Sequence, residues 1–354
     1  MYFSLLNHCF LVSGKEKGVV YNLKERKAIE LEKEEHRIVA WAERGNELKD
    51  GMKTSEVLLD LEKKGWGFFS ENRYFVDKLR PYNSFTLTRP DLAPHNPQMA
   101  YLQLNHTCGI GADKCQARFC TPCRCTDESR ELLTVEQWSG IAGQLYQTGA
   151  GTFFLTGGDV LAYEGLTRLC RYIRELGAVA VLVVNHPDER LHRIDKDIPL
   201  ILYLCDHTYS QEAILAVVRE FEQVTVLSDG SFDFGTDTNF NMVLVKNTEE
   251  ISREDFVIPG VDEFYQRKDR DVCLYGKVFV LSNGDVVPCF RMECEKVGNL
   301  LRGSLKTIVH SLTEKYWRRD AKADGRCSGC EWFYACPSCR GMPADQICPV
   351  SKCI

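Results

Sequence analysis

Cysteine dominates the chemistry this chain could perform. Seventeen of its 354 residues are cysteines, and most fall in two fields. Cys108, Cys115, Cys120, Cys123 and Cys125 stand close together. Cys273, Cys289, Cys294, Cys327, Cys330, Cys336, Cys339, Cys348 and Cys353 form the second field. Thiolates at this density are soft donors suited to iron–sulfur clusters or zinc. Their number is odd and they cluster, which disfavours a disulfide framework. Between the fields, Thr156-Gly157-Gly158-Asp159 ends an apolar run. Paired glycines there suit close backbone approach to a small cofactor.

The elements that must position these groups are legible as periodicity. Met99 to Leu104 reads as a strand running into the first cysteine field. Thr134 to Gln147 reads as an amphipathic helix with a Thr134/Gln137 capping box. Phe153 to Leu155 is the second strand, followed by a helical stripe of Leu166, Leu169, Cys170, Ile173 and Leu176. Val179 to Val184, Leu200 to Leu204, Val224 to Leu227 and Met242 to Val245 continue the strands, with a helix capped by Ser210 before the third of these. Strands alternating with helices imply parallel pairing, an α/β sheet and closure toward a barrel over 99–260. The connections 186–198 and 229–241 are too short or too Ser/Asp/Gly-rich for full helices.

Ahead of this, residues 1–80 read as a small α+β unit. Phe3 to Val12 and Val19 to Asn22 form a hairpin about a Ser13-to-Gly18 turn. Helices follow from Lys33 to Arg44 and from an N-cap at Thr54 to Gly65. Pro81, Pro90, Pro94 and Pro97 make 81–98 a linker. Residues 261–354 carry the second cysteine field and a helix from Ser304 to about Trp317.

Composition excludes several classes. A net charge of -6 provides no basic field for nucleic acid. No apolar run approaches the roughly 18 residues of a membrane span. Met1 to His8 lacks the basic start and sustained apolar region of a secretory signal, so a reducing cytosol is the expected compartment.

The order strand, cysteine loop, helix, strand, Gly157-Gly158-Asp159-Val160 resembles the radical SAM family. That family places Cys-x3-Cys-x2-Cys after its first strand and Gly-Gly-Glu-Pro after its second. Cys120-Thr121-Pro122-Cys123 fits the last cysteine pair, but Gln116 stands where the first cysteine belongs. Cys115 falls one place early, and Cys108 would require an insertion of eight residues. Two ligand sets therefore stand open: Cys108, Cys120 and Cys123, or Cys115, Cys120 and Cys123. Cys115 or Cys125 could also close the fourth iron site.

The C-terminal field resembles the SPASM extension. Cys273 precedes Gly284-x4-Cys289 and Gly298-Asn299-Leu300; then come Cys327-x2-Cys330-x5-Cys336-x2-Cys339, Cys348 and Cys353. One interval departs from the family, with two residues rather than three between Cys336 and Cys339. Spacing alone leaves a four-thiolate zinc site as the alternative.

These resemblances imply a partial (β/α)6 radical SAM barrel with a winged-helix-like N-terminal module and a SPASM extension. They imply a loop 4Fe-4S cluster with S-adenosylmethionine, contacted by Gly157, Gly158 and Asp159, and two auxiliary clusters. Cys327, Cys330 and Cys336 with Cys348 or Cys353 would hold the distal auxiliary cluster; Cys273, Cys289 and Cys339, with Cys294 the nearest fourth candidate, the proximal one. The implied activity is a peptide maturase that abstracts hydrogen from a ribosomal precursor peptide through a 5′-deoxyadenosyl radical. A reductase or flavodoxin would supply electrons. The alternative is a degenerate partner that binds precursor peptide or a second radical SAM protein. Cys205 and Asp206 end the fourth barrel strand, where catalytic groups collect, and could act as hydrogen donor or base. Cys9 and Cys170 read as small buried hydrophobes, and His106 as a packing or hydrogen-bonding residue. The N-terminal module would take up a leader peptide by strand addition, and its deletion would leave iron content unchanged.

Overall fold

A computed structural model describes residues 1–81, 96–107, 132–204, 209–228, 241–244, 253–271, 273–292, 294–318 and 329–336. The five cysteines of the first field, Cys205, Asp206, Cys327, Cys339, Cys348 and Cys353 lie outside these residues.

The N-terminal region contains β1 (Tyr2–Leu5), β2 (Cys9–Ser13), β3 (Gly18–Asn22), β4 (Lys27–Leu31), helices Lys33–Glu43 and Glu56–Lys63, and β5 (Gly67–Ser70). The expected strand from Phe3 to Val12 is two strands. Cys9 N–H donates to the Leu6 carbonyl at 3.0 Å, turning the chain from one sheet into another. β1 pairs antiparallel with β5, while β2, β3 and β4 form a separate antiparallel sheet. The expected hairpin turn is closed by Gly14 N–H on the Lys17 carbonyl. The Glu56–Lys63 helix starts after Ser55, not Thr54, because Asp50–Lys53 forms a short helical turn of its own. Phe3, Val20, Val39, Leu58, Leu61 and Trp66 share one core.

The main unit is a mixed α/β fold on a large, mostly parallel sheet. β6 (Met99–Asn105), β7 (Thr152–Gly157), β8 (Val179–Val184), β9 (Leu200–Tyr203), β10 (Val224–Ser228) and β11 (Asn241–Leu244) lie side by side in chain order, all parallel. The Val135–Gln147 helix carries its capping box: Gln137 N–H donates to Thr134 Oγ1 at 3.3 Å, and Thr134 N–H to Gln137 Oε1 at 2.9 Å. Ser210 likewise caps the Gln211–Glu220 helix through Ala213 N–H. Alternation along the strands buries Ala100, Leu102, Leu104, Phe153 and Leu155 in a core with Trp138, Ile141, Leu145, Leu169 and Ile173. The alternate positions carry Tyr101, which stacks on Phe154 at 4.4 Å and on Phe279 at 4.6 Å.

The sheet does not end at β6. β12 (Lys277–Val280) pairs parallel with it, and β13 (Asp285–Val287) and β14 (Gly298–Asn299) follow antiparallel, making nine strands among the described residues. Beyond them the Leu305–Leu312 helix ends in a wider turn at Thr313–Trp317, with Trp317 fully buried.

A third core joins the two ends of the chain. Val19, Tyr21 and Leu23 are buried together with Phe264, Trp332 and Ala335. The N-terminal region thus packs directly against the Cys330–Cys336 segment. Its three-stranded sheet buries the apolar face of the Cys330–Cys336 segment, and removing it would return that surface to water.

Candidate functional site

Parallel strands deliver their side chains to a common C-terminal end, where α/β folds build ligand sites. Here that end is polar yet buried. Gln103 and Asn105 lie in the C-terminal part of β6 and His106 just past it, Thr156 lies one residue before the end of β7, Asn185 follows β8, Ser228 ends β10 and Ser282 follows β12. His106 Nδ1 lies 3.4 Å from Ser282 Oγ, in the hydrogen-bonding role expected of it.

The Gly157–Asp159 turn is tied to the chain just ahead of Cys108. Gly157 has φ +145°, and a Cβ there would fall 2.2 Å from the Asn105 carbonyl oxygen. The close approach this glycine permits is therefore to the neighbouring strand's backbone. Gly158 N–H donates to the Asn105 carbonyl at 2.8 Å and Asp159 N–H to the Thr107 carbonyl at 2.6 Å. Asn105 Nδ2 returns a bond to the Asp159 carbonyl at 3.1 Å, while its Oδ1 accepts from Thr107.

The Asp159 carboxylate is partly buried, with 17% side-chain exposure. Its Oδ2 accepts from Arg190 Nη2 at 2.9 Å. Its Oδ1 is buried with no hydrogen-bond partner among the described residues. Arg190 is anchored from behind by Asp188, through Nε to Oδ1 at 2.9 Å and Nη2 to Oδ2 at 2.5 Å. His186 Nε2 lies 3.0 Å from the same Asp188 Oδ2. The Arg190 side-chain hydrogen bonds, opposed by burial and assisted by Arg190 N–H and His186, hold Asp188 well below the usual carboxylate range. The Arg190 guanidinium is raised in turn, first by Asp188 and then, against burial, by Asp159. Sequence reasoning missed this cluster. The only local signal was acidic and basic residues in a short connection, which forms a single helical turn at Glu189–Arg193. A residue 31 positions from Asp159 supplies the cation that orients it.

Of the second cysteine field, the structure describes five. Cys289 is buried, Cys330 and Cys336 are half-buried, and Cys273 and Cys294 are exposed. Among the described residues no three Cys, His, Asp or Glu side chains gather as a metal-binding group. Cys330 and Cys336 bracket one compact turn, with Phe333 N–H on the Cys330 carbonyl and Cys336 N–H on the Trp332 carbonyl. Both act on Tyr21, whose phenol is pushed up first by burial and then by the charges of Cys330, Glu331 and Cys336. Soft thiols beside a dry aromatic wall fit thiolate ligation of a cluster. Cys9 and Cys170 are buried as expected, and burial pushes both thiols up to about 12.

Residues 273–331 match the model of the SPASM family, described as an iron–sulfur cluster-binding domain. No curated protein matches the chain. Among solved structures, the chain is similar to Streptococcus suis SuiB, with 14% identity, 96% of each chain covered and a TM-score of 0.43. SuiB bound to precursor peptide SuiA gives 14%, 96% of each chain and 0.44. Tagged anSMEcpe with bound AdoMet gives 13%, 69% of this chain, 89% of that chain and 0.46. No described helix is long and apolar enough to cross a membrane.

Proposed function

We propose that the chain is a radical SAM/SPASM maturase that modifies a ribosomally made peptide. The carrying observation is the buried Oδ1 of Asp159, which has no hydrogen-bond partner among the described residues, on a carboxylate held by Arg190 beside the strand that leads to Cys108. A buried anionic oxygen without a partner is costly and is satisfied by a cationic donor. The ammonium group of S-adenosylmethionine is such a donor, which supports Asp159 as its contact; Gly157 and Gly158 are proposed beside it from the family resemblance and hold the turn against β6. When bound, the loop cluster and S-adenosylmethionine supply the electron transfer and the hydrogen-abstracting radical.

The chain's own residues position and shield. Asn105, Gly158 and Asp159 hold the turn against β6. Arg190 fixes one carboxylate oxygen and leaves the other. In this reading 1–80 is the leader-recognition module, 81–98 the linker, 99–260 the partial barrel and 261–354 the auxiliary-cluster domain. Cys120 and Cys123, with Cys108 or Cys115, hold the loop cluster. Cys273, Cys289, Cys294, Cys327, Cys330, Cys336, Cys339, Cys348 and Cys353 are the pool for the two auxiliary clusters. Cys205 and Asp206 remain the candidates for proton or hydrogen transfer. A leader peptide adds as a strand to the N-terminal sheet.

The second reading, a degenerate partner protein, is favoured by Gln116 in place of a cysteine and by Asp159-Val160 in place of Glu-Pro. Reductive cleavage of S-adenosylmethionine separates the two. Anaerobically purified protein should be brown and release 5′-deoxyadenosine when reduced, and Cys120→Ala or Cys123→Ala should abolish release. No cleavage by protein with a fully loaded loop cluster would leave the partner role. A colourless protein rich in zinc would defeat the iron–sulfur assignment.

A further inference from the structure

We infer that Tyr21 is a positioning residue of the iron–sulfur site to which Cys330 and Cys336 contribute, the N-terminal sheet forming one wall of that site. This rests on the cluster ligation proposed above. The geometry is a clamp around Cys330. Tyr21 is fully buried in β3, and its hydroxyl donates to the Glu331 carbonyl at 2.9 Å, one residue after Cys330. Lys15 N–H, in the β2–β3 turn, donates to the Gly329 carbonyl at 2.9 Å, one residue before it. The carbonyls on both sides of Cys330 are thus held by one hairpin more than 300 residues away in sequence.

Cys336 is held comparably. Val257 N–H donates to the Ala335 carbonyl at 3.2 Å and Arg267 Nη1 to the Tyr334 carbonyl at 2.6 Å. Trp332 meets Tyr21 edge-on at 6.2 Å, and Tyr334 packs on Phe264 at 4.4 Å. Gly14 completes the fit, because a Cβ there would lie 2.1 Å from Glu331 Oε2. Groups behind a metal ligand fix its orientation and exclude water, and both effects tune a cluster's potential. Tyr21 and Lys15 lie outside the cysteine field, so the N-terminal sheet acts on the site in addition to any role in peptide capture.

The test uses full-length protein, reconstituted anaerobically, as wild type, Tyr21→Phe, Cys330→Ser and Cys336→Ser. Tyr21→Phe keeps the ring and removes only the hydroxyl; circular dichroism checks its fold. Iron per chain, the midpoint of each cluster by redox titration with electron paramagnetic resonance, and iron loss to a chelator are read. Expected for Tyr21→Phe is near-normal iron, a displaced midpoint for one cluster, and loss of that cluster's iron at roughly ten-fold lower chelator concentration. The cysteine variants should lose the same cluster. If they lose iron while Tyr21→Phe matches wild type in midpoint and chelator sensitivity, the role of Tyr21 is overturned and the ligation stands. If neither cysteine variant loses iron, the ligation and this inference both fall.

Discussion

Replacing Gly157 by alanine tests the junction between the Gly-Gly-Asp turn and the cysteine loop. The added Cβ would lie 2.2 Å from the Asn105 carbonyl oxygen and 2.8 Å from its nitrogen. Carbon–oxygen contacts settle near about 3.3 Å or more, so the strands must part by about 1 Å. Neither obstructing atom belongs to a side chain that could rotate away. Overpacking of this kind costs about 1–3 kcal/mol. Holding a non-glycine residue at φ +145° costs a further ~1–3 kcal/mol. Gly157→Ala should therefore lose about 2–6 kcal/mol, a large part of the ~5–15 kcal/mol typical of a folded domain. The strain falls on Asn105, three residues before Cys108, so iron bound by the loop should fall as well. Urea unfolding and iron analysis measure the two effects. Gly151→Ala is the control: its Cβ meets nothing within 4 Å, and its cost should stay within about 0.5 kcal/mol. A Gly157→Ala protein as stable as this control, with full iron, would refute the argument.

Asp159→Asn keeps the shape of the side chain and removes its charge. Equilibrium dialysis should find S-adenosylmethionine bound at least ~10-fold more weakly, as a charged hydrogen bond is worth about 1.5–3 kcal/mol; unchanged affinity would remove Asp159 from the site. Thr134→Ala removes the oxygen accepting from Gln137 N–H and should cost about 1 kcal/mol in urea unfolding. Asp188 has a depressed pKa, so its stabilisation is complete above the ordinary carboxylate range near about 4 and is lost as pH falls below it. The stability gap between wild type and Asp188→Asn should be full at neutral pH and close on acidification; a gap that widens would contradict the pairing with Arg190. Deleting residues 1–80 should lower iron content, contrary to the sequence-based expectation, because Val19 and Tyr21 leave the core they share with Trp332 and Ala335.

Features carried by near neighbours in the chain are legible in the sequence alone. Thr134 and Gln137 mark a helix start because cap and reciprocal partner are three residues apart and need only one another. The strand at 179–184 reads as an apolar run because a parallel strand buried on both faces leaves little polar alternation to find. The intervals among Cys273, Cys289, Cys327 and Cys330 make the resemblance to the SPASM family legible because residue spacing is written along the backbone, and residues 273–331 match that family's model. The folded chain decided what distant residues do to each other. Lys27-Ala28-Ile29-Glu30-Leu31 is a strand because β3 supplies its hydrogen bonds, and its own composition says little. β12 joins the main sheet beside β6, although the two are separated by most of the parallel strands in sequence. Arg190 reaches Asp159 because β7 and β8 are parallel neighbours whose C-terminal ends meet. Tyr21 reaches Glu331 across 310 residues. Local hydrogen bonds and side-chain periodicity are set by covalent proximity; these long contacts are set by which apolar faces bury one another, and that is a property of the whole fold.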